Sequence, residues 1–130
     1  MTVKVVVVGA CGRMGSLLVE LASEREDIEL VGAVDRNRVG EKIEGADVSI
    51  EPPEKAEEAF ENADVVVEFT SPEGTDRFVE GAVSTRTPYV TGTTGLSDEV
   101  EERIKRASKE IPVVRSSNFA TGVNVFWRLL

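Results

Sequence analysis

The stretch Val5-Val6-Val7-Val8-Gly9-Ala10-Cys11-Gly12-Arg13-Met14-Gly15 restricts the possible folds more than any other part of the chain. Four valines enter a turn that carries glycine at every third position. Leu17, Leu18, Leu21 and Ala22 then follow at helical spacing. This order reads as a buried strand, a tight turn and a helix. Glycine meets two demands in such a turn: a reversal at positive φ, and close approach of main chain to a ligand with no Cβ in the way. The first N–H groups of the helix lack intrahelical partners, and the helix dipole favours an anion at that end. The turn is therefore shaped to hold a phosphate.

The remainder of the chain extends the same alternation. Residues 3–8 read as a buried strand, and residues 13–25 as an amphipathic helix with Met14, Leu17, Leu18, Leu21 and Ala22 inward. A second strand at 28–34 ends at Asp35-Arg36 and completes a βαβ unit of about 30 residues. Its crossover should be right-handed and its strands parallel. Residues 36–53 are weakly patterned, with Val48-Ser49-Ile50 as a short edge strand. A short helix follows at 53–61, with Ala56, Ala59 and Phe60 inward. Asp64 to Phe69 is a further strand. Ser71-Pro72-Glu73 opens a helix by a capping hydroxyl, a proline at the first position and an acid in the first turn. Phe78, Val79, Ala82 and Val83 are the buried stripe of that helix. Strands at 88–91 and 112–115 flank a helix from Ser97 that buries Val100, Ile104 and Ala107. Strands alternate with helices throughout, so the fold class is α/β: a Rossmann-type, doubly wound parallel sheet in three α/β/α layers.

Bulk properties narrow the functional classes. A chain of 130 residues has room for one domain, and 41% hydrophobic content excludes a disordered polar tail. No apolar run approaches the ~18–20 residues that span a bilayer, so no membrane partner is expected. A glycine turn stands where a signal peptide would carry its cleavage site. One cysteine makes no internal disulfide, and with no histidine it makes a structural zinc site improbable. Together these predict a cytoplasmic protein. Acids outnumber bases 24 to 15, giving a net charge of −9. That argues against general nucleic-acid binding, which needs cations to displace counterions. With no histidine, the chain also has no imidazole to act as a proton donor at neutral pH.

In an open parallel sheet the ligand lies beyond the carboxyl ends of the strands, where strand order reverses. Gly9–Gly15, Asp35-Arg36, Phe69-Thr70-Ser71, Gly92–Gly95 and Ser116–Phe119 all fall at such ends. Asp35 stands 20 residues after Gly15, where an acid accepts hydrogen bonds from an adenosine ribose. It also fits a plain turn. Arg36 next to it suits a 2′-phosphate, an adenine face or a solvated surface. Its pairing with Asp35 suggests tolerance of both NAD and NADP. The G-x-x-G-x-x-G spacing is weak by itself, because a ligand-free strand-to-helix connection uses it too; strand, helix and downstream acid together favour a dinucleotide. Cys11 reads as a small filler, since no histidine can activate it. Gly92-Thr93-Thr94-Gly95 is either a plain turn or a contact for nicotinamide or substrate. Asn118 suits a carboxamide, and Phe119 suits either a ring contact or the core.

Four stretches together resemble the 4-hydroxy-tetrahydrodipicolinate reductase (dihydrodipicolinate reductase) family. They are Gly9-Ala10-Cys11-Gly12-Arg13-Met14-Gly15, Glu68-Phe69-Thr70-Ser71-Pro72-Glu73, Gly92-Thr93-Thr94-Gly95 and Ser117-Asn118-Phe119-Ala120-Thr121-Gly122-Val123-Asn124. They stand in the family's order and spacing. The resemblance implies a two-domain oxidoreductase of lysine and diaminopimelate biosynthesis, homotetrameric at full length. Its first domain binds NAD(P)H and its second carries substrate and proton donor. Cofactor contacts would fall at Gly9, Ala10, Cys11, Gly12, Arg13 and Met14, at Asp35 and Arg36, at Gly92, Thr93 and Thr94, and at Ser116, Ser117, Asn118 and Phe119. Family members often carry glutamate where Asp35 stands; the shorter acid makes the same ribose bonds. The family's catalytic histidine pair and lysine have no counterpart here, so the resemblance assigns no catalytic residue to this chain. Val123, Val125, Phe126, Trp127, Leu129 and Leu130 put much apolar surface on the last eight residues. The expected layout is thus a cofactor domain over 1–121, with 122–130 starting a helix towards an absent catalytic domain. Such a piece would bind cofactor without turnover. The alternatives are the cofactor domain of another two-domain amino-acid dehydrogenase, and a non-catalytic dinucleotide sensor.

Overall fold

A computed structural model describes residues 2–115. Six strands form one all-parallel sheet: β1 (Val3–Val8), β2 (Ile28–Val34), β3 (Ile50–Glu51), β4 (Val65–Glu68), β5 (Tyr89–Thr91) and β6 (Val113–Arg115). Their spatial order is β3-β2-β1-β4-β5-β6. The chain winds outwards from β1 to β3, returns to the centre, then winds outwards the other way from β4 to β6. This is the doubly wound order expected from the sequence. Four α-helices connect the strands: α1 (Arg13–Glu24), α2 (Ala56–Phe60), α3 (Pro72–Thr85) and α4 (Asp98–Ala107). No helix among the described residues is long and apolar enough to cross a membrane.

Alternation along β1 divides the core in two. Val5 and Val7 face one way and pack with Leu18, Val19 and Ala22 of α1. Val6 and Val8 face the other way, onto Ala56 and Phe60 of α2, Phe78, Val79 and Ala82 of α3, and Ala107. Both faces are covered, so the central strands read as unbroken apolar runs.

The expected helix 13–25 is α1, but its rotation differs from the leucine pattern. The buried stripe is Gly15, Leu18, Val19 and Ala22, whereas Leu17 is 42% exposed. Gly15 sets this rotation. An added Cβ there would lie 1.9 Å from the Gly9 carbonyl oxygen, so this side of the helix rests directly on the turn. Positions i, i+3, i+4 and i+7 from Gly15 then face the sheet, and Leu17 falls outside them.

The weakly patterned segment 36–49 forms a loop that covers the α1 face with the half-buried Ile43, Ala46 and Val48. The edge strand expected at 48–50 is Ile50–Glu51 instead, and Ser49 makes an antiparallel bridge to Lys42. The helix expected at 53–61 is a 3-10 turn, Pro53–Lys55, leading into α2. In α3 the Ser71 hydroxyl accepts from the Gly74 amide at 3.2 Å, which is the cap its sequence proposes. Ser116, Ser117, Asn118, Phe119 and the helix expected from Gly122 lie outside the described residues.

Phe60 is fully buried against Phe78, with ring centroids 6.5 Å apart, and joins α2 to α3. Replacing it by alanine is expected to cost about 3–5 kcal/mol of unfolding free energy. Denaturant titration should show this as a lower midpoint at unchanged slope.

Candidate functional site

The order of the strands reverses between β1 and β4, and this is where doubly wound sheets open a crevice at their carboxyl ends. Gly9 leaves β1 at φ +86°, and its amide donates to the Val34 carbonyl at 2.8 Å. A Cβ on Gly9 would lie 2.1 Å from the Phe69 carbonyl oxygen, so the β1 turn and the chain leaving β4 touch main chain to main chain. Gly12 then caps α1 in extended conformation with no side-chain hydrogen bond, and its amide donates to the Gly9 carbonyl at 3.0 Å. Among the described residues, the amides of Arg13, Met14 and Gly15 have no acceptor. The first turn of α1 holds no acid, whereas α3 carries Glu73 there and α4 carries Asp98, Glu99 and Glu101. No side chain of the helix's own first turn offsets the positive end of the α1 dipole at the crevice.

Asp35 follows the last residue of β2 and turns back towards this loop. Its Oδ2 accepts from the Cys11 amide at 2.9 Å, and its Oδ1 from the Asn37 amide at 2.8 Å. The half-buried carboxylate is thereby fixed beside the glycine turn, with lone pairs remaining for further donors. Arg36 is exposed alongside it. The Cys11 thiol donates to the Asn37 carbonyl at 3.4 Å. Burial, and secondly the charge of Asp35, push its pKa up, which keeps it a thiol rather than a nucleophilic thiolate. Cys11 is therefore the half-buried filler its surroundings in the sequence suggest.

Beyond the switch point, the loops after β4 and β5 are tied together. Val8, Glu68 and Thr91 are neighbours across β1, β4 and β5. Glu68 is completely buried, and no cation pairs with it among the described residues. Its Oε1 accepts from Tyr89 at 2.5 Å, Thr91 at 2.8 Å and Thr75 at 2.9 Å. Its Oε2 accepts from the Thr93 hydroxyl at 2.5 Å, the Thr70 hydroxyl at 2.6 Å and the Thr70 amide at 2.8 Å. Gly92 is needed where these loops cross, since a Cβ there would fall 1.9 Å from the Phe69 ring. Thr93 is half-buried and Thr94 exposed at the same edge.

The structure thus gathers Gly9–Met14, Asp35 and Arg36 at one half of the crevice edge, and Gly92–Thr94 at the other. The sequence-based site residues Ser116 to Phe119 lie outside the described residues. The sequence alone does not single out Glu68 as a site residue. Two signals were available. An acid closes the otherwise apolar run Val65-Val66-Val67-Glu68, and Tyr89, Thr91 and Thr93 stand at the period-two spacing that puts hydroxyls on one face of a strand.

The family described as dihydrodipicolinate reductase, N-terminus, matches residues 3–119. The chain belongs to this family. A 4-hydroxy-tetrahydrodipicolinate reductase of Natronomonas pharaonis is 42% identical over 127 residues, which cover 97% of this chain and 49% of the relative. The corresponding enzyme of Alkalilimnicola ehrlichii is 38% identical, covering 99% of this chain and 51% of its own. Among solved structures, the dipicolinate-bound dihydrodipicolinate reductase of Paenisporosarcina sp. TG-14 superposes with a TM-score of 0.75 at 22% identity. That match covers 93% of this chain and 49% of the other, and shows a shared fold. The chain therefore spans about half the length of the curated relatives it matches.

Two outcomes follow from this geometry. Gly15→Ala should lower thermal stability, although alanine is the better helix former by about 1 kcal/mol, because its Cβ has no room against Gly9. A rise in melting temperature would show that the turn yields freely. Burial, then the Glu68 charge and hydrogen bond, hold the Tyr89 phenol well above its ordinary pKa. A raised folded-state pKa contributes stability below the ordinary phenol range, near pH 10, and loses it as pH climbs through the folded value. Unfolding curves from pH 8 to 11 should fall more steeply for the wild type than for Tyr89→Phe.

Proposed function

We propose that this chain is the NAD(P)H-binding domain of a 4-hydroxy-tetrahydrodipicolinate reductase, an oxidoreductase of lysine and diaminopimelate biosynthesis. The observation that carries the reading is Asp35 held by the Cys11 amide at the end of β2, beside acceptor-free amides at the start of α1. A pyrophosphate suits those amides and the dipole behind them, and a ribose suits the carboxylate one strand away. The donor set therefore fits a dinucleotide. Gly9, Ala10, Cys11, Gly12, Arg13 and Met14 would hold the pyrophosphate and Asp35 the adenosine ribose. Arg36 would meet a 2′-phosphate when NADP is used. Gly92, Thr93 and Thr94, with Ser116, Ser117, Asn118 and Phe119, would line the nicotinamide end.

When bound, the cofactor supplies the hydride. This chain's part is orientation. The glycine turn brings main chain against the phosphates, and the loops after β4 and β5 give the other half of the crevice a fixed shape. We assign the domain to residues 1–121, with 122–130 leading to a second, catalytic domain. On this reading the chain binds cofactor and does not turn over by itself. We assign it to the cytoplasm.

Calorimetric titration with NADH and NADPH tests the reading, alongside a reductase assay. Saturable binding of at least one is expected, without turnover. Asp35→Ala should weaken NADH about tenfold or more, the worth of a hydrogen bond to a charged group. Arg36→Ala should weaken NADPH while sparing NADH. Binding of neither nucleotide would overturn the proposal.

A further inference from the structure

Glu68 has no place in the cofactor contacts above, yet it is buried at 0% exposure and receives six donors from α3, β5 and the loops after β4 and β5. Burying a carboxylate without a cation is costly unless its lone pairs are filled. Here they are filled by hydroxyls, which makes the arrangement directional. The hydroxyls donate to the carboxylate oxygens and have lone pairs left over, while those of Thr70 and Thr75 also reach the Ser71 carbonyl at 3.3 and 3.2 Å. Two of those lone pairs are used on main chain. The Thr93 hydroxyl accepts from the Thr70 amide at 3.0 Å, and the Thr91 hydroxyl accepts from the Thr93 amide at 3.2 Å. The loops after β4 and β5 therefore meet through one carboxylate oxygen, Oε2, which holds Thr70 and Thr93 together.

These two loops belong to the second half of the doubly wound sheet. A dinucleotide bound across the switch point lays its adenosine half over the β1–β2 unit and its second half over β4 and β5. We infer that Glu68 is a positioning residue for the nicotinamide half of the cofactor, acting through Thr70 and Thr93 rather than by contact. This rests on the dinucleotide reading given above. Glutamine at 68 keeps the shape but presents an NH2 where one acceptor oxygen stood. That group faces donors, so hydroxyls must turn, and the Thr70 and Thr93 amides lose their fixed partners. No side chain of the Gly9–Asp35 half bonds to the Glu68 carboxylate, and that half meets the β4 exit through the main chain of Phe69.

The two halves are separable with two probes. ADP-ribose carries the adenosine, pyrophosphate and second ribose without the nicotinamide; NADH carries all of them. Both are titrated into the 130-residue chain and into its Glu68→Gln variant, with melting temperatures recorded below which all binding is measured. The wild type should bind NADH more tightly than ADP-ribose. In Glu68→Gln, NADH affinity should fall about tenfold while ADP-ribose affinity stays within about twofold. Thr91→Val, nearly isosteric, removes the hydroxyl that links Glu68 to the Thr93 amide; it should show the same selective loss and decides the matter if Glu68→Gln does not fold. Equal losses for both probes would mark Glu68 as structural only and overturn the inference. So would an unchanged ratio, or a wild type that binds both probes alike; each leaves the dinucleotide reading intact. A wild type that binds neither probe overturns that reading and this inference with it.

Discussion

Everything at the crevice depends on a steric interlock of backbone and ring. Gly15 on α1 rests on the Gly9 carbonyl, Gly9 rests on the Phe69 carbonyl, and the Phe69 ring fills the space beside Gly92. At each of the three glycines a Cβ would stand 1.9–2.1 Å from its neighbour. Backbone meets backbone at Gly15 and Gly9, and at Gly92 only the Phe69 ring stands between, so α1, the β1 turn and the exits of β4 and β5 have one relative placement. The interlock also fixes the rotation of α1, hence which residues face the core, and it sets the first-turn amides at the crevice mouth. Without it the sheet could still pair its strands, but the loops above it would not share a surface.

The elements and their order were legible because each carries its own local signal. Unbroken valine runs marked β1 and β4, and Ser71-Pro72 marked the start of α3. The 20-residue interval to Asp35 marked the acid that meets the turn. What escaped was set by contacts between distant residues. Leu17 is apolar and helical in spacing, yet Gly15 fits only one side of the helix to the turn, and Val19 is buried in its place. Segment 36–49 has no periodicity because it is a packed loop, with Arg38 and Gly40 at positive φ. Glu68 needed partners 21–25 residues away to become visible as the centre of a network.

The charge distribution reconciles an acidic chain with a crevice suited to an anion. Acids at the first turns of α3 and α4 offset those dipoles, and Lys105 and Arg106 close α4 at its other end. In α1 the first turn carries no acid and Arg13 opens the helix, the nearby carboxylate being Asp35 from the end of β2. Glu68, the one completely buried acidic side chain among the described residues, has its oxygens taken up by hydroxyls and an amide beneath the second half of the crevice. The net charge of −9 is therefore carried mainly by the outer surface, while the first turn of α1 itself holds no acid.

The pairing of β1 has a consequence for synthesis. Its first partner, β2, is finished at Val34, but its other flank pairs with Val65–Glu68. A ribosome adding ~5–20 residues per second needs roughly 2–7 s to travel between those points. Throughout that interval a nascent chain carries a valine-rich strand with one hydrogen-bonding edge open, the kind of template on which other chains pair. The central position that gives β1 a neighbour on each side in the finished sheet leaves it half-paired until β4 is made.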